Sequence, residues 1–311
     1  MQDEGHVLVI GAAGFDIKGY SYAPPQAGTS NPGRVSSSFG GVGRNIAENL
    51  ARLEVEVILL SVVGDDSQGD LIMAHAAAAG VDVTHVLQIS DGRSGSYIAI
   101  MDDRGDLSVA VSDYDIMQRL DPEYIQQKAA LFADASMVVT DLNISAEAVA
   151  KIVELCDAHD VPLVVDPTSP ARAGKIRPFL DKVYLITPNG AETVPLCDIP
   201  DPSQDIALSV QAAKRIVSSG PEIVIVTLGE NGVAYANPNE AGHIPARKSE
   251  VVDSTGAGDA LTAGVIFGLA NELSLDEAMR LGVTAASLTL RSRESVVPEL
   301  TPDLLYEHLI V

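Results

Sequence analysis

Apolar residues in this chain gather in short runs separated by stretches of helical period. His6–Ile10, Met137–Leu142, Pro162–Val165, Val183–Ile186 and Glu222–Thr227 are each short and closed by polar or glycine-containing turns, as buried strands are. Val55–Val63 reads as a further strand, and Val83–Ile89 is short and β-prone. Helices are predicted from Ala146 to about Ala158, over Ile206–Val217, and from Asp121-Pro122, where a capping residue precedes proline. Asp70–Ala79 is helical in composition. After Phe39-Gly40-Gly41-Val42-Gly43-Arg44-Asn45, the residues Ile46, Leu50 and Leu53 recur at i, i+4 and i+7 and give one more helix an apolar face. This alternation predicts an α/β fold with a mostly parallel sheet covered by helices on both faces.

Two stretches break the rhythm. Tyr20–Arg34 is rich in Pro, Gly, Ser and Tyr and reads as an excursion rather than a core helix. In Gly95–Ser112 two β-prone runs flank Asp102-Asp103-Arg104-Gly105-Asp106, a hairpin signal. Together they suit a small β appendage over a site, although edge decoration would leave the same pattern.

Composition narrows the class. In 311 residues there are 20 Lys plus Arg against 43 Asp plus Glu, a formal charge of -23, with no Trp. Such a surface argues against a nucleic-acid polymer or an anionic membrane as partner. Cys156 and Cys197 form no CxxC pair, the acidic start MQDEG has the wrong charge for a signal peptide, and no apolar run reaches membrane-spanning length. A cytoplasmic protein is expected.

The chemistry concentrates in Val251–Ala270. Asp253-Ser254-Thr255-Gly256-Ala257-Gly258-Asp259 leads into an apolar segment with the character of a buried helix. Two glycines allow a tight turn, and the free N–H groups of the first helical turn can receive an anion. A carboxylate there, Asp259, would repel a resting phosphate. It makes sense as the base that takes a proton from a hydroxyl attacking phosphorus, though it would also serve as a helix-dipole partner. The strand ends present Asp141, Asn143, Asp166, Asn189, Glu192 and Gly229, where open α/β sheets bind ligands. Asn189 and Glu192, an amide and a carboxylate in one short loop, could hold a hydrated Mg²⁺ or simply form a turn. Thr227-Leu228-Gly229 would let a nucleotide approach. Asp16, just past the first strand, could accept bonds from sugar hydroxyls or cap a turn. Gly11-Ala12-Ala13-Gly14 lacks the full dinucleotide fingerprint, so a redox enzyme is disfavoured. A noncatalytic sensor would leave Asp259 without a purpose.

Three separated signatures, Gly40–Asn45, Thr187-Pro188-Asn189-Gly190-Ala191-Glu192 and Asp253–Asp259, together resemble the ribokinase-like, PfkB-type carbohydrate kinases over nearly the whole chain. Within that family the Val-Gly-Arg-Asn form of the first signature is most similar to the members that act on pseudouridine. The resemblance implies a three-layer α/β/α nucleotide-binding domain over residues 1–18, 37–94 and 113–311, with a small β lid over residues 19–36 and 95–112. It implies transfer of the ATP γ-phosphoryl group to pseudouridine or a related nucleoside or sugar. Asp16, Gly41, Asn45 and Asp259 match the acceptor pocket, and Arg44, beside Asn45, is expected to meet the base edge. Gly256, Ala257 and Gly258 match the anion hole. Asn189 and Glu192 match the Mg²⁺-phosphate loop, while Thr227, Gly229 and Ser287 match the ATP side. Asp253, Ser292 and Ser295 fall near a monovalent-cation loop that would take K⁺. Exposed lid edges leave a homodimer open.

Overall fold

The structure, a computed structural model, describes residues 5–246 and 251–309. Fourteen strands follow in chain order among the described residues: β1 (His6–Ile10), β2 (Gly14–Ser21), β3 (Gly33–Gly40), β4 (Val57–Leu60), β5 (Val62–Gly64), β6 (Leu87–Ile89) and β7 (Gly95–Met101). They continue with β8 (Leu107–Asp113), β9 (Ala135–Asp141), β10 (Leu163–Asp166), β11 (Leu185–Ile186), β12 (Ile223–Thr227), β13 (Val233–Ala236) and β14 (Ala241–Ile244). Eight of them form one sheet in the order β14-β13-β12-β11-β10-β9-β1-β4. It is parallel from β4 to β12, and β13 and β14 add an antiparallel edge.

Alternate residues of β1 show why both faces are covered. Leu8 and Ile10 enter one apolar cluster, with Ile152 and Ile216 of two helices, whereas Val7 and Val9 enter another with Ile46, Leu50 and Val265. Strands buried on both sides read as continuous apolar runs, which is the sequence pattern. The Ala257–Ala270 helix is buried along most of its length, so its apolar character runs all round rather than as a stripe.

Four strands form a second sheet in the order β3-β2-β7-β8. β2 starts at Gly14, directly after β1, and β3 runs to Gly40, so this sheet reaches further into the chain than residues 19–36. Asp16 accordingly sits inside a strand rather than in a turn. The single strand expected over Val55–Val63 is two, because β4 belongs to the large sheet while β5 pairs with β6. Ser61 marks the break, donating its hydroxyl to the Gly11 carbonyl at 2.6 Å.

Candidate active site

The turn before the Ala257–Ala270 helix positions the central carboxylate. Gly256 is its N-cap with φ 80°, and a Cβ there would fall 2.0 Å from the Ser295 carbonyl oxygen. Only glycine fits both the left-handed backbone and that approach. Asp259, in the first turn, is buried. Its Oδ2 accepts a 2.6 Å hydrogen bond from Asn45 Nδ2, across 214 positions of sequence. Burial raises its pKa to about 7, against the lowering effect of the Asn45 amide, and Asp141 adds to the rise.

Asn45 is fixed by its neighbour. It lies in the first turn of the Val42–Arg52 helix, whose N-cap is Gly41, and its Oδ1 accepts from Arg44 Nη2. That bond turns the amide so that its NH₂ group faces Asp259. Arg44 itself is 1% exposed. Its guanidinium donates to the carbonyls of Gly40 and Phe39 as well, and pairs with buried Glu48. The expectation that Arg44 meets an acceptor's base edge does not fit this placement, because the side chain is buried and four of its five N–H donors are engaged inside the protein. What it does is orient Asn45 and join the glycine loop to the helix.

Asp16 is buried on the small sheet, and no hydrogen bond reaches its carboxylate among the described residues. Burial raises its pKa to about 6, opposed by the charges of Lys18 and Arg44. Asp141, at the end of β9, is occupied differently. It accepts from the Ala12 and Gly43 N–H groups at 2.7 and 2.9 Å and from Asn143, so it fastens the glycine loop to the large sheet.

Asn189 and Glu192 form a reciprocal capping box for the Gly190–Cys197 helix, with bonds of 2.8 and 3.0 Å. Glu192 is buried, and burial raises its pKa. Asp166, at the end of β10, has its pKa raised well above its ordinary value by burial and then by Asp259 and Glu192. Asp166 is a residue that sequence reasoning placed at a strand end and did not carry into the site. Its only signal was Asp-Pro after an apolar run, which also reads as a turn. Among the described residues no three His, Cys, Asp or Glu groups converge as a metal cage. A buried, mutually repelling carboxylate set nevertheless suits a hydrated Mg²⁺, which is bound through water and one or two carboxylates.

The K⁺ set fits less well. Asp253 Oδ1 accepts from Thr255 N and its Oδ2 from the Lys18 ammonium, while Ser292 Oγ accepts from Glu294 N. Of these three residues, the buried Ser295 hydroxyl alone has no partner among the described residues.

Beside the anion turn lies a cavity of about 850 Å³. Thr227, Gly229, Ala257, Gly258, Ala286 and Ser287 are among its lining residues. It is large enough for a nucleotide-sized ligand. The structure thus brings segments from both ends of the chain to one place, with a titratable carboxylate between a polar pocket and a cavity.

A match to the pfkB family carbohydrate kinase spans residues 4–302. The chain belongs to the pfkB family of carbohydrate kinases. Kinases of this family are phosphotransferases with an alcohol group as acceptor, and so is this protein. It is 32% identical over 303 residues to the pseudouridine kinase of Escherichia coli, covering 97% of this chain and 95% of that one. It is 31% identical over 301 residues to the guanosine-inosine kinase of Exiguobacterium acetylicum, covering 96% and 99%. The fold is ribokinase-like. A ribokinase from Arabidopsis thaliana, solved with ribose and ATP, superposes with a TM-score of 0.87 at 22% identity over 99% of both chains. A carbohydrate kinase from Agrobacterium tumefaciens gives 0.83 at 28% identity over 98% of this chain and 96% of that one.

Proposed function

We propose that this kinase transfers the γ-phosphoryl group of ATP to the 5′-hydroxyl of pseudouridine, giving pseudouridine 5′-phosphate. The observation that supports phosphoryl transfer here is the buried Asp259–Asn45 pair at the mouth of the Gly256–Gly258 turn. With its pKa raised to about 7 by burial, Asp259 is a base matched to neutral pH. It takes the proton as the hydroxyl oxygen attacks phosphorus. The N–H groups of Gly256, Ala257 and Gly258 face the charge that builds on the transferred group. Asp16 accepts hydrogen bonds from the ribose hydroxyls, and Asn45 holds the base and the acceptor in register. Mg²⁺, held through water by Glu192, Asn189 and Asp166, would neutralise charge on the phosphate oxygens. Residues 19–36 and 95–112 belong to a lid over the acceptor, which excludes water from the reacting oxygen.

The acceptor rests on the similarity to the pseudouridine kinase of Escherichia coli. A purine nucleoside is the second reading, because the guanosine-inosine kinase is nearly as similar. Competition assays with ATP and Mg²⁺ over pseudouridine, uridine, guanosine, inosine, ribose and fructose 6-phosphate decide between them. We expect the highest kcat/KM with pseudouridine. A higher value with guanosine or inosine would replace the acceptor and leave the kinase chemistry in place.

A further inference from the structure

Lys18 has no part in the reaction just described, yet it makes the longest-range polar contacts in the site. Side chains alternate across a strand, so Asp16 and Lys18 of β2 share one face of the small sheet. The Lys18 ammonium donates to Asp253 Oδ2 at 2.5 Å and to Thr255 Oγ1 at 2.6 Å. These partners lie 235 and 237 positions away in sequence. Asp253 Oδ1 in turn accepts from Thr255 N at 2.9 Å. One cation therefore closes a ring of contacts through the turn that leads directly into Gly256. Both partners of the ion pair are largely buried, with side-chain exposures of 10% and 17%. Charge-assisted bonds are shorter and stronger than neutral ones, and shielding from water strengthens them further. Burial would raise the Asp253 pKa, but the bonds from Lys18 and Thr255 outweigh it and hold this carboxyl below the usual range.

We propose that Lys18 is a positioning residue: a cation built into the small sheet that orders the Asp253–Thr255 turn, and with it the Gly256–Gly258 cradle. Because β2 also carries Asp16, the same strand reaches the acceptor pocket and the phosphate cradle. Docking of the small sheet then completes both together. A second consequence follows for monovalent cations. Asp253 already has its countercharge, so the turn needs no K⁺ to be ordered.

The proposal rests on the phosphotransferase chemistry and is independent of which acceptor is used. Hydrogen exchange on the full chain reads the turn directly. Lys18→Met should speed exchange of the amides between Asp253 and Gly258 on the order of 10-fold, with β9 and β10 unchanged. In kinetics, kcat/KM for ATP should fall on the order of 10-fold, and Lys18→Arg should recover most of it. Replacing K⁺ by choline at constant ionic strength should leave the wild-type rate within about twofold. Should Lys18→Met fail to fold, Asp253→Asn removes the ion pair while its side-chain oxygen can still accept the Thr255 N–H bond, and it should show the same exchange signature. Unchanged exchange in a folded variant overturns the proposal, as does a wild-type enzyme that loses most of its rate without K⁺. Loss of activity on pseudouridine alone, with the exchange result intact, would count against the acceptor and not against Lys18.

Discussion

At the scale of single residues, Asp259 ties activity and stability to pH in opposite senses. Its pKa is about 7 in the folded chain against 3.8 as a free side chain. In the proposed role of base it would work only when ionised, so kcat should climb with pH through about 7 and level off above it. Stability runs the other way. The folded chain binds this proton more tightly than the unfolded chain, so the contribution is full below 3.8 and is lost as pH rises through about 7. Asp259→Asn abolishes both effects. It should lose about 10²- to 10⁴-fold in kcat yet melt above the wild type at pH 8, since an amide carries no buried charge. Steady-state rates and thermal melts at pH 5 and pH 8 check both halves. A folded variant with near-wild-type turnover removes Asp259 from the base role.

Among the elements, the turn before the Ala257–Ala270 helix separates two reasons for glycine. Gly256 has no room for a Cβ beside the Ser295 carbonyl, whereas a Cβ on Gly258 meets nothing within 4 Å in the free protein. Gly256→Ala should therefore destabilise the fold by more than about 1 kcal/mol and lose turnover with it. Gly258→Ala should keep its melting temperature and raise KM for ATP, because the space it fills is the one proposed for the phosphates. If both variants melt alike and bind ATP alike, the turn is not the phosphate cradle. The same contrast explains how far the sequence could be read. Ile206–Val217 is a helix to the residue, since local period and an Asp205 cap agree. Val55–Val63 divides because strand propensity says nothing about which sheet a strand joins. The glycine loop and the Asp253–Asp259 turn carry their chemistry in contiguous residues, so each was visible as a segment. Arg44 carried a local warning that went unused: Glu48 and Arg52 continue it at spacings of four, the ladder of a helix-bound ion pair. The Lys18–Asp253 bond had no local signal at all, because only the docking of two sheets brings it together.

For the whole molecule, the small sheet has two unlike faces. Asp16 and Lys18 share one face, and Lys18 reaches the Asp253–Thr255 turn from it. Register puts Gly19 opposite both Val35 and Ile100, and Ile100 opposite Val109, while Ile98 faces Val111. These apolar residues share the other face. Val35, Val109 and Val111 are 73%, 57% and 63% exposed. An exposed apolar patch of this kind, with Asp113 at its end, is unusual on a chain of net charge -23 and is a candidate protein-binding surface. The occupant we propose is a second copy. Excess negative charge opposes self-association in general, whereas twofold pairing would set the apolar centre of this face against itself. Homodimerisation would also back each small sheet with the other, holding Asp16 and Lys18 against their own active site. Light scattering on the purified protein at micromolar concentration should give twice the 32.5 kDa of one chain. Val109→Asp combined with Val111→Asp should give a single chain mass, because two carboxylates from each copy would meet in the interface. The dissociated variant should keep its melting profile in the large sheet and lose affinity for the acceptor before it loses affinity for ATP. A wild-type protein that runs as a monomer leaves the patch to another partner, and a double variant that stays dimeric moves the interface elsewhere.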